Sequence, residues 1–288
     1  MVSNTSTSAP IIGPEIVGPL LVEPAFNAAV AGSVATRVTL PAGVPKYRIP
    51  VVAADPSAAW VAEGDEISPS DATLDEIEVS PAKLSALTIV TSELIEDSEL
   101  DVVDEGSAPA SVVGAGLARD MARKLDAAFF GNLAAPAPAG LGSLEDTSTI
   151  DAGSGITAVD PFIDAVAAAS DVFAHLDAWV MSSADFVTLA KLKRSSTSNV
   201  PLLTDDPTVP SGRTLLGLPI YTTPALTAGT IYGIPRDRCF VIIKDSADIA
   251  VDRSVFFTSD RVAVRARMRV GFGFPHHTAI VKVTYTAS

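Results

Sequence analysis

Between Asp55 and Glu105 the chain carries 15 acidic residues and one base, Lys83, a local charge of −14. The net charge of the whole chain is also −14, so all other residues together are neutral, with 19 acids against 19 bases. A segment of this kind reads as a solvated face, or as a surface that meets a basic partner. The chain as a whole is apolar: 48% of its 288 residues are hydrophobic, mostly Ala, Val, Ile and Leu, since aromatics make up only 6%. This length supports one large domain or two small ones. A mean hydropathy of +0.35 is high for a chain in water and points to surface that is hidden by association.

The same charge balance disfavours a free nucleic-acid binder, which needs a basic field. Cys239 is the single cysteine, so there is no internal disulfide and no cysteine-based zinc site. It lies in the apolar run Cys239-Phe240-Val241-Ile242-Ile243, which reads as a small buried hydrophobe. The first residues lack the basic start and apolar core of a signal peptide, and no apolar stretch is long enough to span a membrane. A protein made in a cytoplasm is expected, with no membrane partner.

Templates for catalysis find little. Gly114-Ala115-Gly116 falls inside a predicted helix and fails the dinucleotide pattern. His276 and His277 are adjacent, and neighbours on a strand point to opposite faces, so they do not share a metal. Rim histidines beside Pro275 are the plainer reading. The acidic segment could supply a pair of carboxylates for hydrolysis. A solvated face, or one that meets a basic partner, is the better reading of acids on a proline-broken loop. No cofactor or metal is expected.

Along the chain, residues 1–45 have prolines at 10, 14, 19, 24, 41 and 45 and read as an extended arm with one short helix near Pro24–Val34. Tyr47, Ile49 and Val51 alternate as a strand, Trp60-Val61 is a short run, and Leu84 to Val90 is β-rich, around a long loop from Asp55 to Glu78. A helix of roughly 23 residues, about 35 Å long, follows from Ser107 to the stop at Gly131-Asn132. Val113, Leu117, Met121, Leu125, Ala128 and Phe129 form its apolar stripe, while Arg119, Asp120, Arg123 and Asp126 fall on the other side. Beyond a break at Ala134 to Gly155 the pattern turns α/β. Asp160 is expected to cap a helix with Phe162, Val166, Ala169 and Phe173 on one face. A strand Ala178 to Ser182, a helix Ala184 to Lys193, and strands Leu218 to Thr222 and Cys239 to Lys244 come next. Ser246 to Tyr285 is β. From Arg261 to Phe272 the even positions are apolar, and Arg261, Arg265, Arg267 and Arg269 take the opposite face. Four arginines on one strand of an acidic chain call for counterions, either nucleic acid or carboxylates from another chain.

These elements, in this order, resemble the major capsid protein of tailed bacteriophages, with the Hong Kong 97-type fold. The resemblance runs from about Ala59 to the end. It is carried by Trp60-Val61-Ala62-Glu63-Gly64, Ser80-Pro81-Ala82-Lys83-Leu84, and Thr91-Ser92-Glu93-Leu94-Ile95-Glu96-Asp97-Ser98. Leu125 to Gly131 with Pro138-Ala139-Gly140-Leu141 is similar too, as are Trp179-Val180-Met181-Ser182, Leu215 to Ile220, and Arg265 to Gly271.

The resemblance implies an α+β chain in five parts. These are an N-terminal arm (1–45), an extended β loop with flanking strands (46–90), a peripheral domain with the long spine helix (91–155), an α/β axial domain (156–245), and return strands of the peripheral domain (246–288). It implies a non-enzymatic shell protein that forms pentamers and hexamers of an icosahedral head. Portal, scaffolding and cement proteins and DNA bound without sequence preference would be partners, and the virion, assembled in the host cytoplasm, its location. Covalently cross-linked members use a lysine in the extended loop. Asp55 to Glu78 has none, so a non-covalent shell is expected. Removing residues 1–40 is expected to abolish shells while the axial domain stays folded. The candidate inter-subunit residues are Asp55, Trp60, Glu63, Asp65, Glu66, Asp75, Glu76 and Glu78 on the loop, and Arg261, Arg265, Arg267 and Arg269 on the basic strand. A cellular nanocompartment of the encapsulin kind is the near alternative, and an acidic hydrolase the distant one.

Overall fold

A computed structural model describes residues 23–41, 43–54, 56, 58, 60, 61, 64, 66, 71, 73–93, 109–194, 199–205, 208 and 212–286. The arm forms two short helices, α1 (Glu23–Ala28) and α2 (Val30–Val34), and strand β1 (Thr36–Leu40). Strands β2 (Tyr47–Ala54) and β3 (Thr73–Val79) form a two-stranded ribbon, followed by β4 (Ala82–Thr91) and the long helix α3 (Pro109–Phe130).

One sheet is built on the alternating strand. With β11 (Phe240–Phe256) and β12 (Arg261–Gly273), the order is β1-β11-β12-β4, antiparallel except for the parallel β1–β11 pair. Val262, Ala266, Met268 and Val270 are buried as expected, and Arg261, Arg265, Arg267 and Arg269 are exposed. The apolar face packs on α3, whose Met121, Leu125, Ala128 and Phe129 are buried. Phe129 sets its ring edge-on to Phe130 at 5.0 Å and to Phe272 at 5.1 Å, a geometry favoured by the ring quadrupole.

The second sheet draws on β5 (Ser148–Asp151), β6 (Ala178–Met181), β7 (Thr204–Asp205), β8 (Arg213–Leu215), β9 (Leu218–Thr222), β10 (Thr230–Ile234) and β13 (Val281–Thr284). Its order is β5-β13-β10-β6-β9-β8-β7. The whole of β6 is buried, which is why it reads as a continuous apolar run. Trp179 and Met181 face a core with Phe162 of α4 (Asp160–Asp171) and Leu189 of α5 (Ser183–Lys191). Ala178 and Val180 face the core built on α3. The two sheets therefore share one core, and the expected segment boundaries cut across them. Strands β5 and β13 lie in the seven-stranded sheet, and Phe240 to Lys244 lies in the four-stranded one.

Several expectations change. The arm has two helices where one was expected, broken at Ala29. Trp60-Val61 forms no strand, and β3 occupies the end of what reads as a loop. Strand β11 runs well past Lys244. In α4, Asp160 lies in the first turn and Val159 is the cap residue. Phe173 leaves the apolar face, adopts a φ of 53° at the helix end and is exposed. Asp126, expected on the outer side of α3, is buried. The expected cap Ser107 lies outside the described residues, as does Val113 of the stripe so far as its side chain is concerned.

Candidate interaction surface

The described part of the arm is fastened to its own chain. Phe26, Ala29, Ala31 and Val34 enter the core on α3. The Asp126 carboxylate accepts the Val30 N–H at 3.0 Å and the Ala31 N–H at 2.9 Å, so the spine helix supplies the cap that α2 lacks locally. Burial raises the pKa of Asp126 above the ordinary aspartate value, and the two N–H bonds pull against that rise. Beyond α2, β1 hydrogen-bonds along β11 from Thr36 to Leu40.

The ribbon is fastened only at its base. Ile49 and Val79 are buried with Leu40 and Ile242. Gly271 and Gly273 make this possible, because a Cβ at Gly271 would come within 2.7 Å of Val79 and one at Gly273 would run into Ile49. Further out, nothing among the described residues covers the strands. Val52 and Leu74 are paired in register and both are exposed, Leu74 by 71%. Trp60 beyond them is wholly exposed. An uncovered two-stranded ribbon is marginal in water by itself.

Of the acidic candidates, Glu78 pairs with Lys46 at 2.9 Å and Glu76 with Arg48 at 3.2 Å, both across the ribbon and both solvent-exposed. Asp75 accepts the Glu76 N–H through a side-chain oxygen at 2.7 Å. Glu66 is exposed, and Asp55, Glu63 and Asp65 lie outside the described residues. Ion pairs in water are worth roughly 0–1 kcal/mol each, so Glu76 and Glu78 brace the ribbon only weakly.

The basic candidates lie together on the face of the four-stranded sheet that points away from α3, and the ribbon base covers only its Gly271–Gly273 end among the described residues. The register sets Arg269 beside Lys83 and Lys244, Arg265 beside Leu87, and Arg261 beside Thr91. Asp248 is opposite Arg267 within the same sheet, a within-chain neighbour that sequence reading did not anticipate. Among the described residues Arg261, Arg265 and Arg269 take part in no ion pair. Leu87 is 64% exposed and Ile89 joins it, so the face mixes cationic and apolar side chains. Among the described residues of one chain the ribbon meets this face at Gly271 and Gly273, while its carboxylates Glu78 and Glu76 pair with Lys46 and Arg48 and not with Arg261, Arg265 or Arg269.

Among the described residues no group of three or more His, Cys, Asp or Glu is placed to hold a metal ion. Burial, with Asp237 and Asp177 nearby, pushes the Cys239 thiol far up, the opposite of an activated nucleophile. Buried Asp185 accepts hydrogen bonds from the Gly229 N–H at 3.2 Å and from the Tyr285 hydroxyl, which ties the end of the chain to α5. Among the described residues no helix is long and apolar enough to cross a membrane.

A family model described as the phage capsid family matches residues 21–285. Among solved structures, the capsid of an empty GTA particle is similar with a TM-score of 0.71 at 18% identity, covering 90% of each chain. A structure from Mycobacterium phage Adephagia gives a TM-score of 0.68 at 17% identity, over 90% of this chain and 91% of that one. One from Microbacterium phage Oxtober96 gives 0.66 at 17%, over 89% and 91%. At such identities the likeness shows the fold. None of the curated protein sequences matches this chain.

Proposed function

Because this chain belongs to the phage capsid family and has the Hong Kong 97-type fold, we propose that it is the major subunit of an icosahedral phage head, assembled as pentamers and hexamers around double-stranded DNA. As a member of that family it is a structural protein of the phage particle. The observation that carries the finer reading is the pair of unfinished surfaces, the bare outer ribbon and the basic outer sheet face. Each lacks what the other has, and a neighbouring copy supplies it. The seven-stranded sheet with α4 and α5 then takes the axial position, and α3 with the four-stranded sheet the peripheral one. Portal, scaffolding and cement proteins complete the particle, which assembles in the host cytoplasm. DNA is held without sequence readout.

Electron microscopy of the purified protein tests this. Closed shells that protect DNA from nuclease are the expected result. Shells that never contain DNA would point to a nanocompartment, and a monodisperse monomer at any concentration would overturn shell formation altogether. Boiling shells in detergent should return only monomers, because the 55–78 segment offers no lysine for an isopeptide bond. A ladder of covalent oligomers on the gel would contradict that.

A further inference from the structure

A groove of about 400 Å³ opens where the end of α3 meets β4, β12 and the proline-rich turn at 133–138. Leu84, Leu125, Leu133, Pro138 and Phe272 wall it, Lys124 brings a charge from α3, and Lys83 borders it from β4 with its side chain on the Arg269 side of the sheet. Among the described residues neither lysine has an ion-pair partner. Leu133, at the mouth, is 46% exposed.

We infer that this groove is the docking site for residues 9–22 of the same chain. Three observations point there. The segment is apolar, with Ile11, Ile12, Ile16, Val17, Leu20 and Leu21, and Pro10, Pro14 and Pro19 favour an extended course with fewer N–H groups to satisfy against an apolar wall. Its one charged side chain is Glu15, the complement of Lys124. Finally, the arm arrives at the right place. Lys124 also lines the recess formed with Ala28 and Val30, so α1 and α2 lie against the same turns of α3 from which the groove opens. Fourteen extended residues span up to about 46 Å, several times the roughly 10–12 Å width of a helix. Tethering gives the chain's own segment a large advantage over a copy in solution. Residues 9–22 thus add a third attachment to those at Asp126 and β11. The inference does not depend on shell formation.

The test is a cysteine pair in the full-length chain, Ile16→Cys with Ala134→Cys, under mild oxidation. Cys239 is buried and stays silent. The expected product is a monomer with an intrachain link between positions 16 and 134. It should form about tenfold faster than in a control that joins Ile16→Cys to Phe173→Cys, as expected for a docked segment. Lys124→Glu should slow the link, and Glu15→Lys in that background should restore it. Links formed only between chains would assign the groove to a second copy and overturn the proposal. A rate no greater than that of the control would overturn docking in any form.

Discussion

The seven-stranded sheet and the four-stranded sheet differ in how far their own chain completes them. Strand β6 at the centre of the first is buried on both faces, by α4 and α5 on one side and the α3 core on the other. Strand β12 at the centre of the second is buried on one face and carries arginines on the other. The two tryptophans repeat the contrast. Trp179 is fully buried and gives its indole N–H to the Leu215 carbonyl at 3.2 Å, whereas Trp60 is wholly exposed. Among the described residues one region is closed by its own chain, and the other leaves apolar and charged side chains exposed.

The largest expected effect comes from shortening the arm. Because Phe26, Ala29, Ala31 and Val34 belong to the shared core and β1 to the sheet, removing residues 1–40 costs more than a single Phe→Ala core truncation, about 3–5 kcal/mol. Limited proteolysis should then open the four-stranded region first. Removing residues 1–22 alone should open that region much less, because the attachments at Asp126 and β11 remain. Equal protection of the two truncations would show that the docked arm contributes nothing to its own subunit.

The tryptophans separate folding from assembly. Trp179→Ala should lower stability by about 3–5 kcal/mol in denaturant unfolding. Trp60→Ala should change it by less than about 0.5 kcal/mol yet weaken assembly by about 2 kcal/mol or more per interface, as large aromatic anchors do. Intrinsic fluorescence should shift to the blue on assembly of the parent and not of Trp60→Ala. If Trp60→Ala assembles normally, the exposed tryptophan is no interface anchor.

The ribbon base gives a smaller effect. Gly273→Ala forces a methyl group against Ile49 and should cost roughly 1–3 kcal/mol, the usual range for overpacking. Proteolysis in the 55–72 segment should rise at the same time. An unchanged melting temperature would mean that the ribbon does not need the close contact.

Asp126→Ala removes the cap of α2 at a cost of about 0.5–2 kcal/mol. The folded-state pKa is raised, chiefly by burial. The group's titration therefore favours the folded state below the unfolded aspartate pKa, and that contribution is lost as pH rises through the folded value. The gap between parent and Asp126→Ala should be widest at acid pH and narrow toward neutrality. A gap that widens with rising pH would show that the N–H bonds outweigh desolvation.

What was legible in the sequence is what repeats locally. The alternation from Arg261 to Phe272 and the stripe Met121, Leu125, Ala128, Phe129 need only neighbours in the chain, and both are found as read. What was not legible depends on distant partners. Asp126 reads as solvent-facing until α2, about 95 residues earlier, presents two N–H groups to it. Strand β3 is too acidic to read as a strand without β2 beside it, and β5 pairs with β13 across most of the C-terminal half. The basic face was visible as arginines, but the exposed Leu87 and Ile89 beside them become a surface only once β4 pairs with β12.

We propose that the basic sheet face of one subunit receives the acidic segment of another. Interfacial charge pairs set register more than affinity, yet leaving one buried partner unpaired costs roughly 2–5 kcal/mol. A high-resolution structure of the assembled shell decides between these outcomes. Carboxylates from residues 55–105 of an adjacent subunit are expected within about 4 Å, salt-bridge distance, of Arg261, Arg265 or Arg269. A shell in which these arginines meet only solvent, packaged DNA or their own chain would contradict it.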